Sequence, residues 1–151
     1  MTKIWGPHIW NFLHCFCEKI KEDFFISNKE SVFIFLNNIL FNLPCPICSH
    51  DSRLQFGKVN INIIKTKNDL KNLLFYYHNY VNNKLRKKNK NISCLNVYKK
   101  YNIHKCYKNF QLVFFKKYSF RLNVYSKMLI NKNKEQNDVK IWWYKNRKNF
   151  S

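Results

Sequence analysis

Two cysteines separated by two residues, Cys45 and Cys48, carry the clearest chemical potential in the sequence. Proline is favoured at the first position of a helix, so Pro46 predicts a short helix with Cys45 as its N-cap. The positive end of a helix dipole stabilises a thiolate, the form of cysteine that attacks disulfides, and this spacing lets the two sulfurs bond to each other. The pair is therefore predicted to be a redox-active dithiol.

The same pair could instead be half of a zinc site, because CxxC is also a common pair of zinc ligands. The chain has no second CxxC, and Cys94, His104 and Cys106 supply further ligands only at irregular spacing. We therefore assign no metal site. A thioredoxin-like site is disfavoured as well, since the strand–helix–strand pattern that would surround it is missing.

The elements that must position this pair are predicted to be helices. Only 2 glycines and 3 prolines occur in 151 residues, too few for the tight turns of a sandwich or barrel, so an all-α fold is expected. The first predicted helix covers Trp5–Ile20, the second begins at a capping box of Ser27 and Glu30 and ends at Pro44, and the third begins at Cys45. A connecting arm over Lys58–Lys65 follows. A capping box of Thr66 and Asp69 then precedes a long fourth helix over Asn68–Lys87, and a short fifth helix is predicted over Leu95–Tyr101. We place the core at residues 4–106 and divide the chain into a domain of residues 1–106 and a basic, aromatic C-terminal extension, residues 107–151.

The chain is strongly basic, with 28 Lys and Arg against 8 Asp and Glu and a formal net charge of +20. Only four of these residues are arginines, whose planar forks commonly read phosphates and base edges. Specific nucleic-acid binding is therefore not expected, although the charge itself attracts polyanions. No secretion signal is recognisable, and the most apolar run, residues 32–43, is shorter than the ~20 residues that cross a bilayer, so no membrane span is expected.

Polar side chains interrupt the apolar stripes of two predicted helices. His14 shares a stripe with Trp10 on the first helix, and His78 and Asn82 share one on the fourth. A buried His or Asn is costly unless a polar group satisfies it, and a cofactor with ring nitrogens, hydroxyls and phosphates could do so. A single histidine on such a stripe is equally compatible with an ordinary core histidine, so this pattern alone leaves both interpretations open.

Three blocks of sequence together resemble a known family. They are Trp5-Gly6-Pro7-x-x-Trp10-x-x-Leu13-His14, Leu43-Pro44-Cys45-x-x-Cys48 and His78-Asn79-x-Val81-Asn82-x-x-Leu85-x-Lys87. In order and spacing they resemble the FAD-linked sulfhydryl oxidases of the Erv/ALR type, above all the compact forms encoded by large DNA viruses such as poxviruses and asfarviruses. The resemblance covers about residues 4–101. It implies a four-helix bundle with a short fifth helix, which holds FAD beside the CxxC pair.

The resemblance also implies roles for individual residues. Cys45 and Cys48 would be catalytic, with Cys45 as the outer sulfur and Cys48 nearer the flavin. The implied FAD-binding residues are Gly6, Trp10, His14, His78, Asn79, Asn82, Lys87 and Tyr101. Tyr101 stands where family members carry a tryptophan, but a tyrosine can still stack on the cofactor.

The implied activity is the oxidation of dithiols in protein substrates or in a thioredoxin-like carrier. Electrons would pass through Cys45, Cys48 and FAD to O2 and give H2O2. A homodimer is expected by analogy, with the apolar face of residues 32–41 as its interface. The expected location is the host cytoplasm, virus factory or virion for a viral protein, and otherwise the mitochondrial intermembrane space. The alternative is a zinc-stabilised, lysine-rich helical module that binds nucleic acid or another polyanion.

The sequence also departs from the family pattern in its other cysteines. Phe75 occupies the position of a cysteine that usually pairs with one near Cys94, so that structural disulfide cannot form. We expect Cys94 to pair with Cys106 instead, as a local staple; the alternatives are that both stay free thiols or that one of them relays electrons from substrate. Cys15 and Cys17 are expected to be buried thiols, because side chains two residues apart on a helix diverge by about 200°.

Overall fold

A computed structural model describes the backbone of residues 2–116 and 126–151, with side chains over 2–116 and 132–151. Residues 117–125 of the predicted extension lie outside the described residues. In chain order the helices are α1 Thr2–Lys19, α2 Glu22–Ser27, α3 Lys29–Leu40, α4 Pro46–Gln55, α5 Lys67–Lys84, α6 Ile103–Phe114 and α7 Ser126–Asn146. Short 3₁₀ segments cover Phe56–Lys58, Ile61–Ile63, Ile92–Lys100 and Arg147–Asn149. The described residues form no strand, only one isolated bridge between Ile20 and Phe150, so the expected all-α class is confirmed.

The helical bundle is organised around α1. Helix α5 packs on one side of it, α6 on another, and the 3₁₀ segment Ile92–Lys100 crosses it, while α3 contacts α4 and α7. The short fifth helix is therefore present, but as a 3₁₀ segment that starts earlier than predicted. None of the helices in the described residues is both long and apolar enough to span a membrane.

Local start signals are correct at two helices and wrong at a third. Cys45 caps α4, and the capping box of Thr66 and Asp69 starts α5. The predicted box of Ser27 and Glu30 does not form, because Ser27 is the last residue of the unpredicted helix α2 and Asn28 precedes α3. Helix α3 also ends at Leu40, before Pro44.

The core extends beyond residue 106, which corrects the expected limit. Helix α6 contributes Phe110, which stacks on Phe12 of α1 with ring centroids 4.6 Å apart. Helix α7 contributes Trp143, which is 2% exposed and stacks on Tyr107 at 4.4 Å. Both helices follow the predicted boundary, yet they complete the same core as α1 and α3.

Helix α7 also covers part of the α3 face that the sequence analysis assigned to a dimer interface. The Trp142 ring stacks on Phe35 at a centroid distance of 4.2 Å, and its indole N–H donates to Ser31 Oγ at 2.6 Å. Ile34, on the same helix, stays 60% exposed. An interface on α3 would therefore have to use the side that carries Ile34.

Candidate functional site

A cavity of about 550 Å³ opens among α1, α4 and α5. Its volume lies within the range of cofactor and small-molecule sites. Its wall includes Gly6 and Trp10 from α1, Cys48 from α4, and His78 and Asn82 from α5. Three separate parts of the sequence thus meet at one concave surface.

The dithiol lies at the start of α4, where local sequence dictates its geometry. Pro46 occupies the first turn, and Cys45, in an extended conformation, accepts a hydrogen bond on Sγ from the Cys48 backbone N–H at 3.3 Å. The two cysteines form a disulfide, with their Cα atoms 5.2 Å apart. Both are half-buried, but Cys48 lines the cavity and Cys45 does not. Cys48 therefore borders the cavity, whereas Cys45 is not part of its wall.

Gly6 leaves the α1 wall of the cavity open. It lies inside the helix without a positive φ, where glycine costs roughly 1 kcal/mol relative to alanine. Apart from its chain neighbours and its own helix backbone, a Cβ built on Gly6 would meet no atom within 4 Å, so packing against other elements does not require glycine. The position is buried and borders the cavity, which suits a backbone that a ligand approaches closely.

Two histidines join α1 to α5 behind this wall. His14 Nε2 lies 2.9 Å from His78 Nδ1, so one ring donates to the other. Burial, with the second ring nearby, lowers the pKa of His14 to about 3; burial, with Lys87 and Lys90 nearby, lowers the pKa of His78 to about 4. Both rings are therefore neutral at pH 7. Trp10 stacks on His78 at a centroid distance of 3.8 Å, which presents an aromatic surface to the cavity.

The turn after α5 brings Lys87 back to the cavity. Lys87 N–H donates to Asn82 O at 2.8 Å, and Arg86 adopts a left-handed φ of 53°, unusual for a side chain of this kind. Asn79 fixes the far end of the turn through reciprocal hydrogen bonds with the Lys90 backbone, both 3.0 Å long. Asn79 thus positions the loop and, indirectly, Lys87.

Positive charge exceeds negative charge along the cavity. Lys3, Lys84 and Lys87 line it, and the only carboxylate among its lining residues is Asp51. Lys84 is already paired with Asp51, at 2.5 Å. Within the described residues Lys3 and Lys87 form no ion pair, so two cations remain for an anionic ligand.

The structure brings six of the ten predicted site residues to the cavity. These are Gly6, Trp10, Cys48, His78, Asn82 and Lys87. The other four lie one contact away from it. Cys45 is bonded to Cys48, His14 is behind His78, Asn79 holds the loop, and Tyr101 contacts the cavity residue Tyr98 at a ring distance of 5.1 Å.

The lining also includes residues that were not predicted as part of the site, among them the four long polar side chains of Lys3, Tyr77, Lys84 and Tyr98. Helical spacing could have found three of them. Lys3 lies three residues before Gly6 on α1, and Tyr77 and Lys84 flank Val81 at spacings of four and three on α5. Tyr98 needed the three-dimensional fold, since it reaches α1 from the 3₁₀ segment and donates to Asn11 Oδ1 at 3.2 Å.

The remaining cysteines lie away from the cavity. Cys15 and Cys17 are buried free thiols, as predicted, and burial raises the pKa of each. The expected pairing of Cys94 with Cys106 is wrong in this structure, since both are free and Cys94 is exposed. In the part of the chain that the structure describes, no three His, Cys, Asp or Glu side chains come together as metal ligands.

Comparisons with known proteins are consistent with this geometry. A family model described as the Erv1 / Alr family matches residues 7–102. An FAD-linked sulfhydryl oxidase of African swine fever virus, isolate Warthog/Namibia/Wart80/1980, is 30% identical over 84 residues, 56% of this chain and 70% of that protein. Its counterpart from isolate Tick/Malawi/Lil 20-1/1983 is 29% identical over the same shares. No solved structure matches the chain significantly.

Proposed function

Since the chain belongs to the Erv1/Alr family, we propose that it is an FAD-dependent sulfhydryl oxidase that generates disulfide bonds in protein substrates. One observation carries the proposal. A redox-capable disulfide borders a cofactor-sized cavity through Cys48 alone, while Cys45 lies outside the cavity wall. This arrangement separates a sulfur that can meet substrate from a sulfur that can meet a cofactor.

The residues of the cavity fit FAD. The missing side chain of Gly6 leaves room for a planar group against α1, and Trp10 offers a ring face beside it. We assign the diphosphate to Lys3 and Lys87, the two cavity cations without an ion-pair partner in the described residues. His78 and Asn82 would bind polar edges of the cofactor, with His14 fixing His78, Asn79 holding the Lys87 loop, and Tyr101 supporting Tyr98.

The chemistry of the chain begins at Cys45. A substrate thiolate attacks Cys45 Sγ, and the Cys45–Cys48 bond breaks with Cys48 as the leaving thiolate. The second substrate thiol then displaces Cys45, so the substrate leaves as a disulfide and the pair keeps two electrons. Cys48 faces the cavity and is the sulfur placed to pass them on. When bound, FAD would supply the electron acceptor and would return the electrons to O2 as H2O2.

The helix that carries the dithiol favours the departing thiolate. Cys48 lies in the first turn of α4, where the helix dipole stabilises negative charge. Its backbone N–H donates to Cys45 Sγ, so the same amide can stabilise charge on that sulfur when substrate displaces it. The start of α4 therefore stabilises the negative charge on each sulfur when that sulfur is the leaving group.

The partners follow from the same proposal. They are protein dithiols or a thioredoxin-like carrier on the Cys45 side, O2 as the final acceptor, and a second copy of the chain on the side of α3 that carries Ile34. The proposed site of action is the host cytoplasm, virus factory or virion for a viral protein, and otherwise the mitochondrial intermembrane space. Analytical ultracentrifugation of wild type and Ile34→Glu tests the homodimer, which the substitution should dissociate.

Oxygen consumption with dithiothreitol as substrate tests the activity. The FAD-loaded wild type should consume O2 and produce H2O2, and Cys45→Ser or Cys48→Ser should each lower kcat at least about 100-fold. Cys94→Ser is the matched control, because Cys94 is an exposed free thiol away from the cavity, and it should leave the rate unchanged. A wild-type protein that binds FAD but oxidises no dithiol would contradict the proposal.

A further inference from the structure

Two of the cysteines that the oxidase site does not use face each other across a helix contact. Cys15 lies on α1 and is 0% exposed, and Cys106 lies on α6 and is 8% exposed. Both thiols are free in this structure, and each lies close enough to the other to affect the pKa of its neighbour. Cys17, on the opposite side of α1, has no such thiol contact, and Cys94 is on the surface.

Contacts on either side of this pair fix the register of α1 against α6. One turn before Cys15, the Phe12 ring stacks on Phe110 and also contacts Tyr107 at 5.3 Å. On the other side, Lys19 Nζ donates to the Lys99 carbonyl at 2.8 Å. Helix α1 therefore runs antiparallel to the 3₁₀ segment and α6. The two sulfurs lie between two anchored points and cannot easily slide apart.

The surroundings of the pair make it chemically unreactive once the protein is folded. Burial raises the pKa of Cys15 to about 12, with the Cys106 thiol adding to the effect, and burial also raises the pKa of Cys106. Exchange needs a thiolate, so neither sulfur is a good nucleophile in the native state. Neither residue lines the cavity, which separates the pair from the path of electrons through Cys48.

We propose that Cys15 and Cys106 form a structural disulfide that fastens α6 to α1. The two thiols lose two electrons and two protons, and a low-molecular-weight disulfide of the glutathione class accepts them and becomes two thiols. The bond forms while α6 is still undocked and Cys106 is accessible, and docking then shields it. Because this oxidant is external, the proposal stands whether or not the chain is an oxidase.

Thiol counting on the full chain tests the bond directly. Reduced wild type is refolded in a buffer of reduced and oxidised glutathione, unfolded in guanidinium with N-ethylmaleimide, and digested for peptide mapping. We expect label on Cys17 and Cys94 and a disulfide-linked peptide that contains Cys15 and Cys106. Recovery of both residues as labelled thiols overturns the proposal, and so does a Cys94–Cys106 peptide, which would restore the pairing expected from the sequence.

A melting experiment gives a second, independent readout. In a Cys45→Ser/Cys48→Ser background the proposed Cys15–Cys106 bond, here called the staple, is the remaining disulfide, and it closes a loop of about 90 residues. The protein is reduced under denaturing conditions and refolded with reductant. For a loop of this length the chain-entropy model predicts that reduction lowers Tm by roughly 5–15 °C. Adding Cys15→Ser should abolish this response to reductant. Adding Cys94→Ser, the matched control, should preserve it. An equal Tm with and without reductant in the background protein contradicts the staple.

Discussion

Helix α1 has two faces, one that packs in the aromatic core and one that borders the cavity. The face towards α6 and α7 carries Phe12 and Phe16, both 0% exposed and packed against other aromatic rings. The face towards the cavity carries Gly6, the half-buried Trp10 and the buried His14. The first face gains stability from burial and ring contacts, whereas the second holds residue types that cost stability in a helix or in a core.

The difference indicates which face the chain keeps for function. Glycine within a helix and a histidine whose pKa is depressed by burial are unfavourable choices for packing alone. Gly6 borders the cavity together with Cys48 and His78, and His14 lies directly behind His78. The aromatic face, by contrast, stabilises the fold and so offsets the cost of such residues. Changes on the aromatic face should therefore act mainly on stability, and changes on the cavity face mainly on cofactor binding.

The largest expected effect is on the aromatic face. Trp143→Ala removes a nearly fully buried ring that contacts Phe12 and Tyr107, and it should lower the free energy of unfolding by about 3–5 kcal/mol. Urea denaturation measures the loss. Tyr144→Ala, one residue on and 56% exposed, is the matched control and should cost less than about 1 kcal/mol. Equal effects of the two variants would mean that α7 is an appendage and not part of the core.

An intermediate effect is expected at the histidine pair, as a pH dependence. The folded pKa values, about 3 for His14 and about 4 for His78, lie below the ordinary value of 6.5. As the pH falls from 6.5 towards 4, the unfolded chain binds protons that the folded chain does not, so stability falls by on the order of 1 kcal/mol per pH unit for each histidine. Urea midpoints of the FAD-free protein between pH 7 and pH 5 measure this slope.

His78→Gln should flatten that slope by removing one titrating group. His50→Asn, which replaces an exposed histidine, should leave it as in wild type. An unchanged slope in His78→Gln would show that the ring is not held neutral in the folded protein.

The smallest expected effect on stability is at Gly6, on the cavity face. Gly6→Ala should change the free energy of unfolding of the FAD-free protein by less than about 1 kcal/mol, because the better helix propensity of alanine is offset by contact of its Cβ with the Pro7 ring that follows. The same Cβ projects towards the cavity and should weaken FAD binding, which fluorescence titration measures. Gly57→Ala serves as the control, since its Cβ would press on Phe41 and lies outside the cavity. Normal FAD affinity in Gly6→Ala would contradict the assignment of this face to the cofactor.

The parts of the fold that local chemistry dictates were predictable. Pro46 placed Cys45 at a helix start, and Thr66 with Asp69 started α5. The similar pattern at Ser27 and Glu30 failed because Glu22 and Asp23 favour a preceding helix start, which makes Ser27 the end of α2. A capping pattern does not reveal whether its first residue already belongs to another helix.

The parts that depend on tertiary packing were not predictable in the same way. Helix α6 buries Phe110 and Phe114, but lysines interleave its apolar positions and obscured the stripe. On α7 the spacing of Val139 and Trp143 did carry a helical signal, and it was overlooked. At the site, the motifs led to Cys48 and Gly6, whereas the place of His14 behind His78 depends on how α1 meets α5.

The central claim is that Cys48 faces the flavin and Cys45 faces the substrate. The visible absorption spectrum of the FAD-loaded Cys45→Ser protein tests it most directly, with Cys48→Ser as its pair. The account predicts a long-wavelength charge-transfer band in Cys45→Ser, because Cys48 remains as a thiolate against the flavin, and no such band in Cys48→Ser. A band in Cys48→Ser alone would contradict the account.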